Sequence, residues 1–392
     1  MADVIVVGAG PAGSLAALLL ARAGVNVRLF DRARFPRAKL CGDTLNPGAL
    51  RVLATFVPIE PIVARALPLD GMLLTGPGSV AVRGRYAAGL AGRAIARMEL
   101  DAMLVQHAVD AGVQFDDNLM VVSPTCNTTG QVTGVAMKSV VGGRAHQHRA
   151  RVVIAADGRQ SRLARALKLA RHPLRPRRWA IGGYFEGVGQ LTTAGEMHIR
   201  RGHYIGVAPM PGGLANACLV VPHESAGGTW RDPAGRLAAV LSADPQLAPR
   251  FAHARLLEPP HILGPMAVDA STAGVPGLLL AGDAAGFIDP MTGDGLRFAF
   301  SGAALAVSVT LDVLAGRVTL ESAPLQLGAA RRTAFGAKWR FNRSLRALVT
   351  SGSAVGAAAV GARLLPSAFE AIIRYAGDCH VAAPQVSGRD PR

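Results

Sequence analysis

Three stretches of the sequence predict an α/β fold. They are a strand, glycine-rich turn and helix in the first 24 residues, a central run of strands punctuated by proline and glycine, and an apolar strand leading into a long helix near residue 280. Together they predict a Rossmann-type nucleotide-binding domain, interrupted by an inserted antiparallel-sheet domain and followed by a helical tail. With 392 residues, half of them hydrophobic, the chain can bury the cores of two joined domains. The boundaries read as 1–75, 92–173 and 262–333 for the discontinuous nucleotide domain, 76–91 and 174–261 for the inserted substrate domain, and 334–392 for the helical tail.

Val4 to Val7 is a short β-branched run, the pattern of a buried parallel strand. Gly8-Ala9-Gly10-Pro11-Ala12-Gly13 follows, and Ala12 to Ala23 reads as a helix stopped by Gly24. Val25 to Phe30 is the second strand, ending at Asp31, 23 residues after Gly8. In that setting Gly8 permits the tight turn, Gly10 lets backbone approach a pyrophosphate, and Gly13 lets helix and strand pack closely. The helix start at Pro11 and Ala12 offers N–H groups and a positive dipole end to phosphate, and Asp31 a carboxylate to ribose hydroxyls.

Leu100 to Ala111 reads as an amphipathic helix, and Phe115 to Ala150 as a meander with turns at Thr129-Gly130 and Gly142-Gly143. Val152 to Ala156 is a buried strand entering Asp157-Gly158. Trp179 to Val188, Gly195 to Arg200, His203 to Ala208 and Leu214 to Val221 read as antiparallel strands of the inserted domain, joined by part of the 60–92 stretch. Leu278 to Ala281 is again a buried strand, Gly295 to Leu314 a long apolar helix, and the tail from Ala334 is helical.

The net charge is +16, carried almost wholly by arginine: lysine occurs only at positions 39, 138, 168 and 338. The arginines are scattered and not interleaved with aromatics, which argues against nucleic acid as a partner. Cys41, Cys126, Cys218 and Cys379 are far apart and have no histidine at ligand spacing. That argues against structural zinc or a disulfide framework and leaves reduced thiols, with no metal site. The N-terminus enters a strand without a charged, cleavable leader, so the expected location is cytoplasmic, with peripheral contact at the inner face of the membrane left open. No apolar run reads as a membrane span; Ser351 to Leu365 comes nearest and reads as a core helix, an interfacial helix being the alternative.

Three later segments carry a family resemblance. Arg97-Met98-Glu99-Leu100-Asp101-Ala102-Met103-Leu104 looks like an R-x-x-x-D-x-x-L helix, Ala156-Asp157-Gly158 a D-G motif, and Leu280-Ala281-Gly282-Asp283-Ala284-Ala285 a G-D motif. With the N-terminal motif, and in this order, they resemble the flavoprotein superfamily of p-hydroxybenzoate hydroxylase and geranylgeranyl reductase, over roughly residues 1 to 310. The resemblance implies a p-hydroxybenzoate hydroxylase-like fold with FAD as cofactor. It implies that Gly8, Gly10, Pro11, Ala12, Gly13, Asp31, Arg32, Cys41, Gly42, Arg97, Asp157, Gly158, Gly282, Asp283, Pro290, Gly293, Gly295 and Leu296 hold it. Arg97 would meet the phosphate region and Asp283 a ribitol hydroxyl. Backbone N–H groups at Gly295 and Leu296 would face the flavin edge that turns negative on reduction.

Phe35 to Asp43, with Cys41-Gly42, looks like the Cys-Gly segment of the geranylgeranyl reductase-like branch, which makes Cys41 the candidate catalytic residue. A packed, inert thiol is the competing reading. Gly286, where aromatic hydroxylases carry histidine, favours the same branch. The branch's Y-x-W-x-F-P signature aligns with Tyr204 to Pro209, but its tryptophan is Gly206 and its phenylalanine Ala208. Two rings are missing, which leaves room for a bulkier substrate. Trp179, Tyr184, Met197, His198 and Tyr204 are the candidate substrate residues, with His198 a possible general base of suitable unperturbed pKa.

The function expected is a pyridine-nucleotide-linked reductase or dehydrogenase. It would act on C=C bonds of a small, lipid-like or secondary-metabolite substrate, with NAD(P)H as a transient electron donor. The alternatives are an FAD monooxygenase hydroxylating a phenolic or polyketide-type ring, and a non-catalytic flavin-binding or membrane-associated partner.

Overall fold

A computed structural model describes residues 2–77, 80–172, 178–222, 229–288 and 290–379. Asp289, the domain junction at 173–174 and residues 380–392 of the tail lie outside the described residues. Along the chain come β1 (Ala2–Val7), α1 (Pro11–Arg22), β2 (Val27–Phe30), β3 (Gly71–Gly76), β4 (Val80–Arg85), α2 (Arg97–Asp110), β5 (Gln114–Asp116), β6 (Leu119–Cys126), β7 (Val132–Ser139) and β8 (His146–Ala155). They are followed by β9 (Arg178–Glu186), β10 (Ala194–Arg200), β11 (His203–Met210), β12 (Leu214–Pro222), α3 (Pro233–Ala243), β13 (Leu278–Leu280) and α4 (Gly295–Leu314). The chain then turns through α5 (Ala323–Thr350), α6 (Gly352–Leu364) and α7 (Pro366–Ala376).

The first sheet has the order β13-β8-β1-β2-β5, all parallel, with the short strand Gly274–Val275 antiparallel at its edge. Its strands are buried on both faces, which is why Val4–Val7 of β1 and the whole of β13 are unbroken apolar runs. One face packs on α1, α2 and α4 through Leu15, Leu18, Leu100, Leu104 and Phe300. The other packs on the β6-β7-β8 meander and the short helix Arg162–Ala166. The strands end together at the turns that carry the glycine motifs, so the first sheet presents one rim of loops, where ligands of such sheets bind.

The second sheet has the order β9-β12-β11-β10-β3-β4, and β10 pairs β3 in parallel register, Ala194 with Gly71 and His198 with Thr75. Its strands alternate. Ile181, Phe185, Ile205, Ala217 and Leu219 face α3, while Ala180, Met197, Tyr204 and Val220 face the first domain. This corrects one boundary. Residues 71–75, read with the nucleotide domain, belong to the second sheet, because β3 supplies the parallel partner that β10 needs.

The membrane reading also needs correction. Gly295–Leu314 is long and apolar enough to cross a membrane by length and composition. It is nonetheless a core helix: 61% of the apolar window is buried, with Phe300, Ala303 and Ala306 against α1 and the first sheet. Period alone cannot separate the two cases.

The tight rim has an energetic test. A Cβ on Gly13 would sit 1.7 Å from the Gly8 carbonyl oxygen, backbone that cannot step aside. Gly13→Ala is expected to cost about 3 kcal/mol, measured as the loss in urea-unfolding free energy, whereas Gly24→Ala meets no atom within 4 Å and suffers only its positive φ.

Candidate functional site

Gly8, at φ +97°, turns the chain out of β1, and a Cβ there would lie 2.5 Å from the Ala156 carbonyl oxygen and 2.7 Å from the Asp157 Cα. Gly282, at φ +58°, leaves no room for a Cβ against Ala12, 2.8 Å away. The D-G and G-D turns therefore both abut the first glycine turn. Gly10 differs. The nearest atom to its absent Cβ is an Arg37 guanidinium nitrogen at 3.5 Å, so the start of α1 stays open to an incoming group. The carboxylate of Asp31 is fixed by N–H donors from Ala9 and Ala33, both at 2.8 Å. Arg32, beside it, is exposed.

Cations gather at this opening. Arg97 is buried and donates through Nε and Nη2 to the two oxygens of Asp101, at 2.8 and 2.9 Å. Arg37 also pairs with Asp101, at 3.0 Å. Burial, then the charge of Arg97, pushes the Lys39 ammonium below its ordinary value, and Asp283 opposes the shift. Three cations thus share Asp101 and Asp283, an arrangement that a dianionic pyrophosphate would balance. Burial also raises Asp157, whose Oδ2 accepts from the Arg162 N–H at 2.9 Å and whose buried Oδ1 has no partner among the described residues. The open Gly10 face, the excess of cations and the unpaired carboxylate oxygen fit FAD, whose pyrophosphate the start of α1 would hold.

A polar knot lies beside Cys41. Asp43, buried and at φ +51°, accepts at Oδ2 from the Tyr184 hydroxyl (2.6 Å) and from Asn216 Nδ2, and at Oδ1 from the Arg97 N–H (3.2 Å). Asn216 Nδ2 also donates to the Cys41 carbonyl at 2.8 Å. Burial pushes the Asp43 carboxyl up to about 6, although its three donors pull it down. The Cys41 thiol is half-buried beside Arg97. Burial, reinforced by Cys41 and Asp43, pushes the Cys218 thiol up to about 12, so it stays protonated and inert.

Between the inner face of the second sheet and α4 lies a cavity of about 130 Å³. Its wall is mostly apolar, with Met72, Leu74, Met197, Ile199, Leu345 and Ile373, and its polar groups include Thr44 and Asn216. Met291, Thr292 and Gly293 close one side as they lead into α4, whose N-terminal dipole end therefore points at the cavity. Asp294, in the N-cap position, is pushed up to about 6 by burial against the pull of Lys338. Lys338 Nζ lies 3.5 Å from Asp294 and 3.0 Å from Asp378, and Arg297 Nε lies 3.1 Å from Asp378. This buried cluster ties the end of α7 to the start of α4.

The structure brings Gly42, Met197 and Gly293 to the cavity and sets Cys41 behind Gly42. Gly158 and Gly282 stand at the phosphate rim, Pro290 opens the short turn before α4, and Gly295 and Leu296 form its first turn. The substrate set needs correction, because only Met197 of its five residues lines the cavity. His198 points to the opposite face, with Nδ1 2.9 Å from Thr75 Oγ1 and Nε2 2.9 Å from Glu196, which Arg250 holds in turn. Strand alternation forces this, since Met197 and Ile199 take the cavity face. Trp179 packs on Trp230 and against Gly264, and Tyr204 is buried in the sheet core under Arg178. Tyr184 serves Asp43 instead.

Sequence reasoning missed Asp43, Asp101, Lys39, Asn216 and the Lys338 cluster. The i,i+4 spacing of Arg97 and Asp101 announced their pair, and Lys338 was one of only four lysines. Nothing local marked Asn216.

A family model described as FAD binding domain matches residues 1–321. The chain is 28% identical to conditioned medium factor receptor 1 of Dictyostelium discoideum over 340 residues, 78% of this chain but 62% of that protein's length. It is 29% identical to digeranylgeranylglycerophospholipid reductase 1 of Methanopyrus kandleri over 333 residues (80% of this chain, 81% of the relative). It is 30% identical to a menaquinone reductase of Mycobacterium tuberculosis over 330 residues (79% and 76%). A solved flavin-dependent brominase superposes with TM-score 0.83 at 20% identity, covering 96% of this chain and 94% of its own, a likeness of fold.

Asp43 sets a pH dependence. Its folded value, about 6, lies above the ordinary 3.8, so the stability it lends is present below 3.8 and lost as pH rises through 6. Asparagine tolerates the positive φ. From pH 3.5 to 7 the wild-type protein is expected to lose about 3 kcal/mol relative to Asp43→Asn, read from urea unfolding of the two proteins side by side. Parallel pH profiles would refute the assignment.

Proposed function

The chain belongs to the FAD binding domain family, among the geranylgeranyl reductase-like FAD oxidoreductases, and from that premise we propose a pyridine-nucleotide-linked reductase or dehydrogenase acting on C=C bonds of a lipid-like or secondary-metabolite substrate. The observation that carries this reading is the cavity. Its wall of methionine and aliphatic side chains suits an apolar substrate and offers few groups to orient a phenol. Two of the relatives are named as reductases, one of a digeranylgeranyl lipid and one of menaquinone, which supports the same reading.

FAD, when bound, supplies hydride transfer to the substrate. The chain's residues supply the setting. The N-terminal end of α4, with Gly293 at φ +67° leaving its backbone open, favours negative charge at the cofactor edge beside the cavity. Reduction of a C=C bond also consumes a proton, and the Asp43 carboxyl is buried with a value near neutrality. With Tyr184 and Asn216 hydrogen-bonded to it, Asp43 is a proton reservoir one residue behind the cavity wall at Gly42 and Thr44. Cys41 is the competing donor, its thiol beside Arg97. The chain carries a single G-x-G-x-x-G unit, so the nicotinamide donor binds transiently in this reading.

Gly206 and Ala208 line the cavity where the reductase signature has rings, and a Cβ on Gly206 would meet nothing closer than 3.9 Å. That space suits a wide substrate and would equally admit the ring of a monooxygenase substrate. The FAD-loaded protein, incubated with NADH or NADPH and a menaquinone or polyprenyl lipid, is expected to add two hydrogens without oxygen. Incorporation of labelled dioxygen into product would establish the monooxygenase instead. Gly206→Trp should fill the space and lower kcat/KM for the accepted substrate about tenfold or more, with the flavin spectrum unchanged. An unaltered kcat/KM would place the substrate elsewhere.

A further inference from the structure

Helix α6, read from the sequence as a core helix, lies instead at the surface, although Ser353 and Arg363 are its only polar side chains, and the amphipathic α7 adds Ile372 to the same outer side. Inward, Ala362, Phe369 and Ile373 pack on Val80 and Val82 of β4, and the Ile373 side chain comes so close to Gly84 that a Cβ there would be 2.6 Å away. Outward, Val360 is 56% exposed, Leu364 74%, Leu365 62% and Ile372 40%. These are four of the ten exposed large hydrophobic side chains among the described residues, and they fall within 13 positions around a single turn. A helix apolar all round is normally buried, and a clustered apolar patch marks a contact surface.

The chain leading into this corner is mostly basic, although Arg343 pairs with Asp269 at 3.1 Å. From residue 340 to 376 the chain carries Arg340, Arg343, Arg346, Arg363 and Arg374 against one acid, Glu370. Arg374 reaches Glu370 only at 3.8 Å, with both side chains half-buried. Apolar side chains flanked by arginine are complementary to a bilayer with anionic headgroups, the apolar atoms entering the acyl boundary and the guanidinium groups meeting phosphate. A second copy of this chain would set the same arginines against one another, and like charges oppose that docking.

The patch also continues into the cavity. Ile372 belongs to both, and Ile373, Ala376 and Gly377 complete the same wall. The far end of α7 is held down through Asp378, by Lys338, Arg297 and an Arg51 hydrogen bond to its carbonyl.

We propose that the α6–α7 corner docks on an anionic lipid bilayer and that an apolar substrate passes from it along Ile372 into the cavity. The passage rests on the reductase reading; the docking rests on the surface alone. The test is co-sedimentation of the FAD-loaded full chain with phosphatidylglycerol–phosphatidylcholine vesicles and with pure phosphatidylcholine vesicles, at low and high salt. Binding to the anionic vesicles is expected, weakened by salt, and reduced about tenfold or more by the double variant Leu364→Glu, Leu365→Glu. The double variant Val140→Glu, Val141→Glu places the same two charges on remote side chains that are 50% and 97% exposed and should leave binding intact. Flavin content and melting temperature check that the variants fold. Absence of vesicle binding overturns the docking, as does equal loss in both variants. A concentration-dependent dimer abolished by the double variant would assign the patch to a second copy of this chain and also overturn it. Reductase activity on a detergent-dispersed substrate is read separately. Its loss defeats the function proposed above and leaves the docking standing, whereas its survival without vesicle binding does the reverse.

Discussion

Three backbone turns meet within van der Waals contact at the end of the first sheet, and the rest of the molecule is arranged around that meeting. Gly8 leaves no side chain between itself and Ala156–Asp157, Gly13 none between α1 and the Gly8 carbonyl, and Gly282 none between the third turn and Ala12. Any one Cβ would force β1, β8 or β13 apart at the point where their carboxyl ends must converge. Convergence is what brings α1 and α4 side by side with their N-terminal ends at the same rim, where one helix would hold the phosphates of FAD and the other would stabilise charge on its flavin.

Electrostatics follows from this crowding. Cations at the rim have little water, so they are held by Asp101 and Asp283 and remain in excess over them. A second buried cluster, Asp294, Asp378, Lys338 and Arg297, contributes no surface charge but fixes the start of α4 to a segment 84 residues further along the chain. Such a pair is weak evidence for net stability, because desolvation offsets much of the attraction. Its geometric effect is more certain: removing one partner would leave a buried charge without its counterion.

The cofactor domain was legible in the sequence because its requirements are local. Glycine at three fixed spacings, a strand before and a helix after are all read within 30 residues, and Gly295–Leu314 emerged from its apolar pattern with the same bounds. The substrate side was not legible in the same way. Whether His198 or Met197 faces the cavity depends on which face of β10 meets the first domain, a matter of sheet packing 120 residues away at β3. The buried state of Asp43 depends on Tyr184 and Asn216, which arrive from β9 and β12. Short apolar runs near 70 could not announce a parallel partner for a strand that begins at Ala194.

The cavity wall has a different origin from the cradle that holds the cofactor. Its outer side is built by α7, a single segment near the far end of the chain, pinned at Asp378 and packed on β4 by a few aliphatic contacts. Segments of this kind open locally at a lower free energy than the core beneath them. The access route proposed above and the cofactor domain are therefore separable in inheritance as well as in motion. Residues 352–376 can diverge, or be exchanged with those of a relative, to change what the cavity admits, provided Asp378 stays to hold the start of α4.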